Sequence, residues 1–276
     1  MSGRLYLVAT PVGNLADLSP RAVDALREAS TVLAEDTRRT LTLLRAYSID
    51  TPLESFHEHN EDEKAARIVE RIRAGDVIAL VSDAGTPIVS DPGYPLLRRL
   101  RDERLAVVPI PGASAVMLAL AASGLPPTPF AFWGFSPHRD GERRDFWARV
   151  ASSSMTAVVF ESPQRLVESL ESAREILGDV EATVARELTK MHEELIHGRL
   201  SEIVETVRRR DSVRGEITLV LAAAERRSEE LPSVARLREE LERLRDGGMR
   251  RNDAVKALAA RYGLSRNDLY KMLTGE

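Results

Sequence analysis

The sequence predicts an α/β protein with two α/β domains about a ligand cleft and a small helical unit at the C-terminus. Three observations carry this reading. Short apolar runs alternate with polar-faced stretches through residues 1–122, the pattern of parallel strands joined by helices. Successive strands end in small, polar or turn-forming residues, as they do where an open sheet binds ligand at its carboxyl edge. From Leu231 onward the composition shifts to polar helix interrupted by glycine.

Taken in order, Leu5–Ala9 reads as a buried strand. Ser19-Pro20 opens a helix, with serine as N-cap and proline in the first turn. Thr31–Ala34 is a strand, Arg38–Tyr47 a helix and Thr51–Ser55 a short strand. Asp62–Ala74 is a charged amphipathic helix closed by Gly75, and Val77–Ser82 is the most strand-like run in the chain. Leu96–Glu103 is helical, Ala106–Ile110 a strand and Ala113–Ala122 a helix. The turn-rich segment Gly124–Pro129 then reads as a linker, which places a first domain at 1–123 and a second at 124–225. In the second, Thr156–Glu161 is a strand and Ser162-Pro163 starts a helix running to Leu177. Ala182–Glu187 and Ile217–Ala222 are strands with Ser201–Arg210 helical between them, a more mixed half with room for antiparallel pairs. In 231–276, helices are expected over Ser233–Arg245, Asn252–Tyr262 and Ser265–Leu273, broken at Gly247-Gly248 and Gly263. Ser265 and Asp268 have capping-box spacing. This unit reads either as a helix-turn-helix or as a helical cap on the body.

Composition excludes several function classes. With 43% hydrophobic and 30% charged residues in 276, the chain can bury a core and is neither disordered nor fibrous. The absence of cysteine rules out disulfides, thiolate zinc sites and a cysteine nucleophile. Net charge is −4, unevenly spread: residues 226–276 carry 12 basic and 9 acidic groups, and the rest of the chain is acidic. Ala106–Pro137 has no charge, but prolines and glycines cut it into pieces too short for a membrane span. The N-terminus lacks the features of a signal peptide, so a cytoplasmic protein with no membrane role is expected.

Motif exclusions narrow the chemistry further. No G-x-G-x-x-G follows the first strand and no P-loop occurs, against a dinucleotide or nucleotide-triphosphatase site. His57-Glu58-His59 lacks further ligands at metal-site spacing, and His192 and His197 are five apart, off the spacing of a zincin helix. There is no G-x-S-x-G elbow, so covalent catalysis and a metal are both unexpected. The loops after the strands are instead rich in Gly and Ala, which let backbone amides and carbonyls approach a ligand closely.

The segments LYLVATPVGNL, AEDTRRT, SFHEHNE, VSDAGTPIVSDPG, VPIPGASA, FWGFSP, VFESPQRL, ARELTKMHEE and GEITLVL follow one another in this order. As a set they resemble the ribosomal RNA small subunit methyltransferase I family, within the tetrapyrrole-methylase superfamily. The resemblance spans about Leu5 to Ala222, and the tail from Leu231 is similar to the family's helix-turn-helix appendix. It implies two α/β domains of tetrapyrrole-methylase type with S-adenosylmethionine between them, no metal, and a homodimer. It implies methylation of the 2′-hydroxyl of cytidine 1402 in the decoding centre of 16S rRNA, with the small ribosomal subunit as partner. By motif, the donor would be bound by Pro11, Gly13, Ala84, Gly85, Thr86, Val89, Ser114, Ala115, Phe160, Glu161, Leu188, Gly215 and Glu216. Where porphyrin and corrin methylases read G-G-D-P, this chain has Ala84-Gly85-Thr86-Pro87, which argues against the alternative of a tetrapyrrole or other small-molecule acceptor.

A sulfonium methyl is already electrophilic, so the enzyme's task is to align a hydroxyl in line with it and accept a proton. Asp36, Arg38, His57 and Lys190, all in motif loops, are the catalytic candidates, with Arg38 able to hold a phosphate and Asp36 a proton. For RNA contact, Arg139, Arg143 and Arg144 follow FWGFSP beside Trp133, and Arg250 and Arg251 lie in the basic tail.

Overall fold

A computed structural model of the chain describes residues 3–224, 234–247, 249–261 and 266–274. Residues 1–224 form one compact unit and 225–276 another. The first unit holds two five-stranded sheets. In the first sheet, β1 (Arg4–Val8), β2 (Thr31–Ala34), β3 (Leu53–Ser55), β4 (Val77–Val81) and β5 (Ala106–Ile110) are arranged β3-β2-β4-β1-β5, and every pair is parallel. The connecting helices are α1 (Pro20–Glu28), α2 (Thr37–Ala46), α3 (Glu61–Arg73) and α4 (Tyr94–Asp102).

Local chemistry explains the helix starts. Ser19 caps α1 by accepting from the Ala22 amide at 3.2 Å, and Pro20 takes the first position, where no amide bond is lost. Asp36 caps α2 from the Arg38 amide at 2.9 Å. Glu61, Asp62 and Glu63 crowd the first turn of α3, where the helix dipole favours negative charge. Both faces of the sheet are covered: one around Val8, Leu26 and Leu44, the other around Leu5, Phe56, Ile68 and Leu100.

The second sheet runs β6-β7-β10-β8-β9. Its strands are β6 (Phe130–Phe135), β7 (Thr156–Glu161), β8 (Glu181–Arg186), β9 (Glu194–Arg199) and β10 (Ile217–Leu221). β6 and β7 are parallel and the other pairs antiparallel, the mixed pairing anticipated above. Three elements were absent from the sequence reading: β6, β9, and the helix α6 (Asp140–Ser153), whose arginines were read only as RNA contacts. Helices α7 (Leu166–Leu177) and α8 (Leu200–Arg208) pack with α6 over one face. The other face meets α5 (Ala115–Ala122), whose Val116, Ala119 and Leu120 join Val158, Ala185 and Val220 in one cluster. That contact buries one side of the all-apolar α5, while Met117 and Leu118 stay exposed on the other.

The second unit contains α9 (Val234–Asp246), α10 (Arg251–Arg261) and α11 (Arg266–Thr274) around Leu237, Leu241, Leu258 and Leu269. The expected helix start Ser233, the break at Gly248 and the turn at Tyr262, Gly263 and Ser265 lie outside the described residues, as does the side chain of Asp268.

Trp147 is fully buried beneath α7 and stacks edge to face on Phe146, and its indole N–H has no partner among the described residues. Trp147→Ala should therefore cost about 3–5 kcal/mol in urea unfolding, while Trp147→Phe, which removes an unpaired donor, should cost far less.

Candidate active site

In the sheet order β4-β1-β5, the loops after these three strands meet at the carboxyl edge. Thr10 and Gly85 exchange backbone hydrogen bonds of 2.8 and 3.1 Å, an antiparallel bridge between chains that run parallel up to that point. Buried hydroxyls complete the lacing. Thr10 Oγ1 donates to the Ser82 carbonyl at 3.0 Å and Ser82 Oγ to the Gly85 carbonyl at 3.0 Å. Thr86 Oγ1 reaches the Ala113 carbonyl at 3.2 Å, tying in the third loop. Left-handed backbone recurs after β4, at Gly85, Ile88 (φ 76°), Ser90 (φ 69°) and Gly93. For a β-branched residue such as Ile88 this is strained, and such strain concentrates at functional loops.

A cleft of about 380 Å³ opens over these loops, within the size range of small-molecule sites. Ala84, Gly85, Thr86, Val89, Ser114 and Ala115 line it from the first sheet, and Phe160, Glu161, Gly215 and Glu216 from the second. An adjoining cavity of about 260 Å³ is lined by Pro11, Gly13 and Lys190 and shares Ala84 and Glu216. Leu188 lines neither; its side chain packs in the core with Val12 and Val158. Two glycines are required by close approach. A Cβ on Gly13 would overlap the Lys190 stem, and one on Gly215, which is also left-handed, would overlap the Glu187 carboxylate.

The sequence-derived catalytic candidates fall in different places. Asp36 and Arg38 line neither cavity. Asp36 caps α2 and accepts the Arg38 guanidinium at 2.9 and 3.1 Å, and hydrogen bonds from the Arg38 side chain and backbone hold its carboxyl down at about 2. Arg38 points to solvent, 90% exposed. His57 sits in the turn before α3, its Nε2 3.0 Å from Asn60 Nδ2 and its Nδ1 without a partner among the described residues. Lys190 contacts Glu187 at 2.7 Å and Glu216 at 3.3 Å. Burial works against its charge, but hydrogen bonds and the two carboxylates outweigh that and raise its pKa.

Residues not singled out from sequence also face the cleft. Arg39, next to Arg38, lines both cavities and stands 3.7 Å from Asp83. Asp83 and Asp91 line the larger one. Burial pushes the Asp91 carboxyl up to about 7, aided by the charges of Glu35 and Asp83. The signal for both aspartates was present in VSDAGTPIVSDPG, at the end of the most strand-like run. Phe135 is the exposed aromatic of FWGFSP (57%), resting on Phe160 with ring centres 5.3 Å apart.

The expected RNA contacts divide likewise. Trp133 packs edge to face on Phe146 against the core rather than facing solvent. Arg139 and Arg144 are exposed on α6, paired with Glu142 and Glu175. Arg143 departs from the expectation of a phosphate contact. It is buried on the inner face of α6, held by the His138 carbonyl at 3.2 Å, Asp140 at 3.1 Å and Glu168 at 3.7 Å. Arg250 and Arg251 are exposed in the second unit.

One carboxylate in the cleft wall is structural. The Glu161 side chain is wholly buried, accepting from the Ser136 hydroxyl and the Ser162 amide (2.7 Å) and pairing with Arg165 at 3.2 Å. Glu161→Gln should destabilise the fold by about 3–5 kcal/mol in chemical denaturation, because it leaves the Arg165 charge buried and unpaired. Adding Arg165→Met should recover part of the loss.

Comparison with known proteins gives concordant results. Residues 4–204 match the family of Tetrapyrrole (Corrin/Porphyrin) Methylases. The chain is 39% identical over 272 residues to the ribosomal RNA small subunit methyltransferase I of Bacillus subtilis, covering 97% of this chain and 93% of that one. Among solved structures, a diphthine synthase shares the fold at a TM-score of 0.63 and 19% identity, over 79% of this chain and 90% of that one. A uroporphyrin-III C-methyl transferase from Thermus thermophilus, complexed with S-adenyl homocysteine, does so at 0.56 and 24%, over 81% and 99%. The two sheets, the cleft at the laced strand ends and this near-full-length likeness agree: the chain belongs to the ribosomal RNA small subunit methyltransferase I family of the tetrapyrrole methylases.

Proposed function

We propose that this protein transfers the methyl group of S-adenosylmethionine to the 2′-hydroxyl of a cytidine ribose in the decoding centre of 16S rRNA. The observation that carries the reading is the cleft itself, whose walls are built from the segments that carry the resemblance to the rRNA methyltransferase family. The residues present fit the donor. Small side chains at Ala84, Gly85, Ser114 and Ala115 leave backbone groups open to its amino-acid part. Phe135 and Phe160 offer apolar ring surface for a purine, and Asp83 and Asp91 give the wall the sign a cationic ligand requires. When bound, the donor supplies an electrophilic methyl. What the chain itself must do is exclude water, hold the ribose hydroxyl in line and accept its proton. Thr86, at the position where porphyrin and corrin methylases carry aspartate, favours this acceptor over a tetrapyrrole.

On the acceptor side, Arg39 takes the phosphate role that the sequence assigned to Arg38, since its guanidinium reaches the cleft wall. Arg139, Arg144, Arg250 and Arg251 supply exposed cations for the flanking RNA, whereas Arg143 and Trp133 support α6 and β6 from within. The substrate is the small ribosomal subunit, which sets the protein's place in the cytoplasm. No helix among the described residues is long and apolar enough to cross a membrane. Met117 (53% exposed) and Leu118 (37%) give α5 an apolar outer face suited to a homodimer. Light scattering should then return twice the 30.6 kDa chain mass.

Purified protein, labelled S-adenosylmethionine and small subunits from cells lacking this gene should yield 2′-O-methylcytidine on nuclease digestion of the 16S rRNA. Label on a base, or none on subunits or free rRNA, would overturn the proposal. Arg39→Ala should raise KM for subunits and lower the salt dependence of binding by about one phosphate contact.

A further inference from the structure

We infer that Asp91 is the general base that takes the proton from the attacking hydroxyl, an assignment that rests on the methyl-transfer reading above. The cleft is lined by four carboxylates: Asp83, Asp91, Glu161 and Glu216. Three are engaged. Asp83 accepts the Asp36 amide at 3.0 Å and faces Arg39 at 3.7 Å. Glu161 is closed in by Ser136, Ser162 and Arg165, and Glu216 is paired with Lys190 at 3.3 Å. The Asp91 carboxyl has no hydrogen-bond or ion-pair partner among the described residues, so its lone pairs are the ones left for a substrate proton.

The loop fixes the backbone that carries that carboxyl. Ser90, immediately before it, and Ile88 are both left-handed. Two residues after it, the Gly93 amide donates to Glu61 Oε2 at 2.6 Å, which anchors the loop to the start of α3. A non-glycine pair in this conformation persists only where its surroundings over-determine it, which is what positioning a base requires.

The charges around Asp91 come from three elements. Glu35 follows β2, Asp83 follows β4, and Arg39 on α2 is turned to Asp83. His57 and Glu58 act on Glu35 from the loop after β3. Burial and the two neighbouring carboxylates place Asp91 near neutrality, where a general base has both a useful ionised fraction and proton affinity. The other candidates are less suited: Asp36 is held down at about 2, and Lys190 is held charged.

The step balances without a further reactant. An oxygen lone pair of the 2′-hydroxyl forms the O–CH₃ bond, and the C–S bond breaks with its electrons going to sulfur, leaving a neutral thioether. The O–H bond breaks with its proton going to Asp91, which later passes it to water.

The test compares wild type, Asp91→Asn and Asp91→Glu. The expected result is a kcat loss of about 10²–10⁴-fold for Asp91→Asn, with a much smaller loss of donor affinity from the missing charge. The rise of wild-type kcat/KM with pH through about 7 should vanish in Asp91→Asn and return, displaced, in Asp91→Glu. Thermal unfolding gives an arm independent of turnover. A carboxyl raised from its ordinary 3.8 to about 7 in the fold destabilises progressively as pH climbs between those values, and by a constant amount above them. The Tm advantage of Asp91→Asn over wild type should therefore grow from pH 5 to pH 8. Wild-type rates in Asp91→Asn, an unchanged acid limb, or a Tm difference that does not vary with pH would each overturn the assignment. Failure of the wild type to methylate any rRNA would overturn the methyl-transfer reading instead, with the Tm arm still reporting on Asp91.

Discussion

A parallel sheet leaves the carboxyl ends of its strands without partners, and here two hydrogen bonds between Thr10 and Gly85 close that edge. The loop after β1 is thereby pinned to the loop after β4, the hydroxyls of Thr10 and Ser82 reinforce that junction, and the Thr86 hydroxyl extends the lacing to the loop after β5. Each of these groups is a small side chain bonded to backbone, so the cleft floor holds its shape without bulky residues filling it. The strained turn through Ile88 and Ser90 is tolerated because it hangs between this bridge and the Gly93–Glu61 contact.

The other wall rests on a second constraint. Glu187 and Thr189 are left-handed and present Lys190 to both Glu187 and Glu216, with Gly13 and Gly215 packed close on either side. An ammonium gripped by two carboxylates is fully paired, and it ties the loop after β8 to the segment just before β10. The electrostatic outcome is a cleft with its cations tied down and one carboxylate untied. This is an environment that suits a positively charged donor better than an anionic nucleotide.

Much of the architecture was legible in the sequence because the first sheet is buried on both faces, so β1, β2 and β4 read as unbroken apolar runs. The elements that escaped had weaker signatures. β9 reads Glu194-Leu195-Ile196-His197-Gly198-Arg199 on an exposed sheet edge, with no apolar run. β6 follows a proline-rich stretch and contains the left-handed Gly134. The helix α6 was masked by its charges, yet Arg143, Phe146, Trp147 and Val150 are spaced three, four and seven apart, and that periodicity puts Arg143 on the inner face. The cleft-lining segments were legible from Gly, Ala and turn residues at strand ends. The state of the carboxylates there was not, because a sequence shows which carboxylates exist and not which already have a partner. Asp36 and Asp91 are alike in the sequence, and only the Arg38 fork on one and the bare burial of the other separate them.

The helix α5 belongs by sequence to the first half of the chain but inserts its apolar side into the face of the second sheet. The stretch after Ser123 therefore does not divide two independent folding units. Severing it would strip one sheet of its cover and leave the helix with nothing to bury it. Residues 3–224 should then melt as one cooperative block, with local opening beginning at the strained loops and not at the boundary between the sheets. Loss of stability in either sheet would dissolve the cleft as a whole, which makes the helix the mechanical coupling between its two walls.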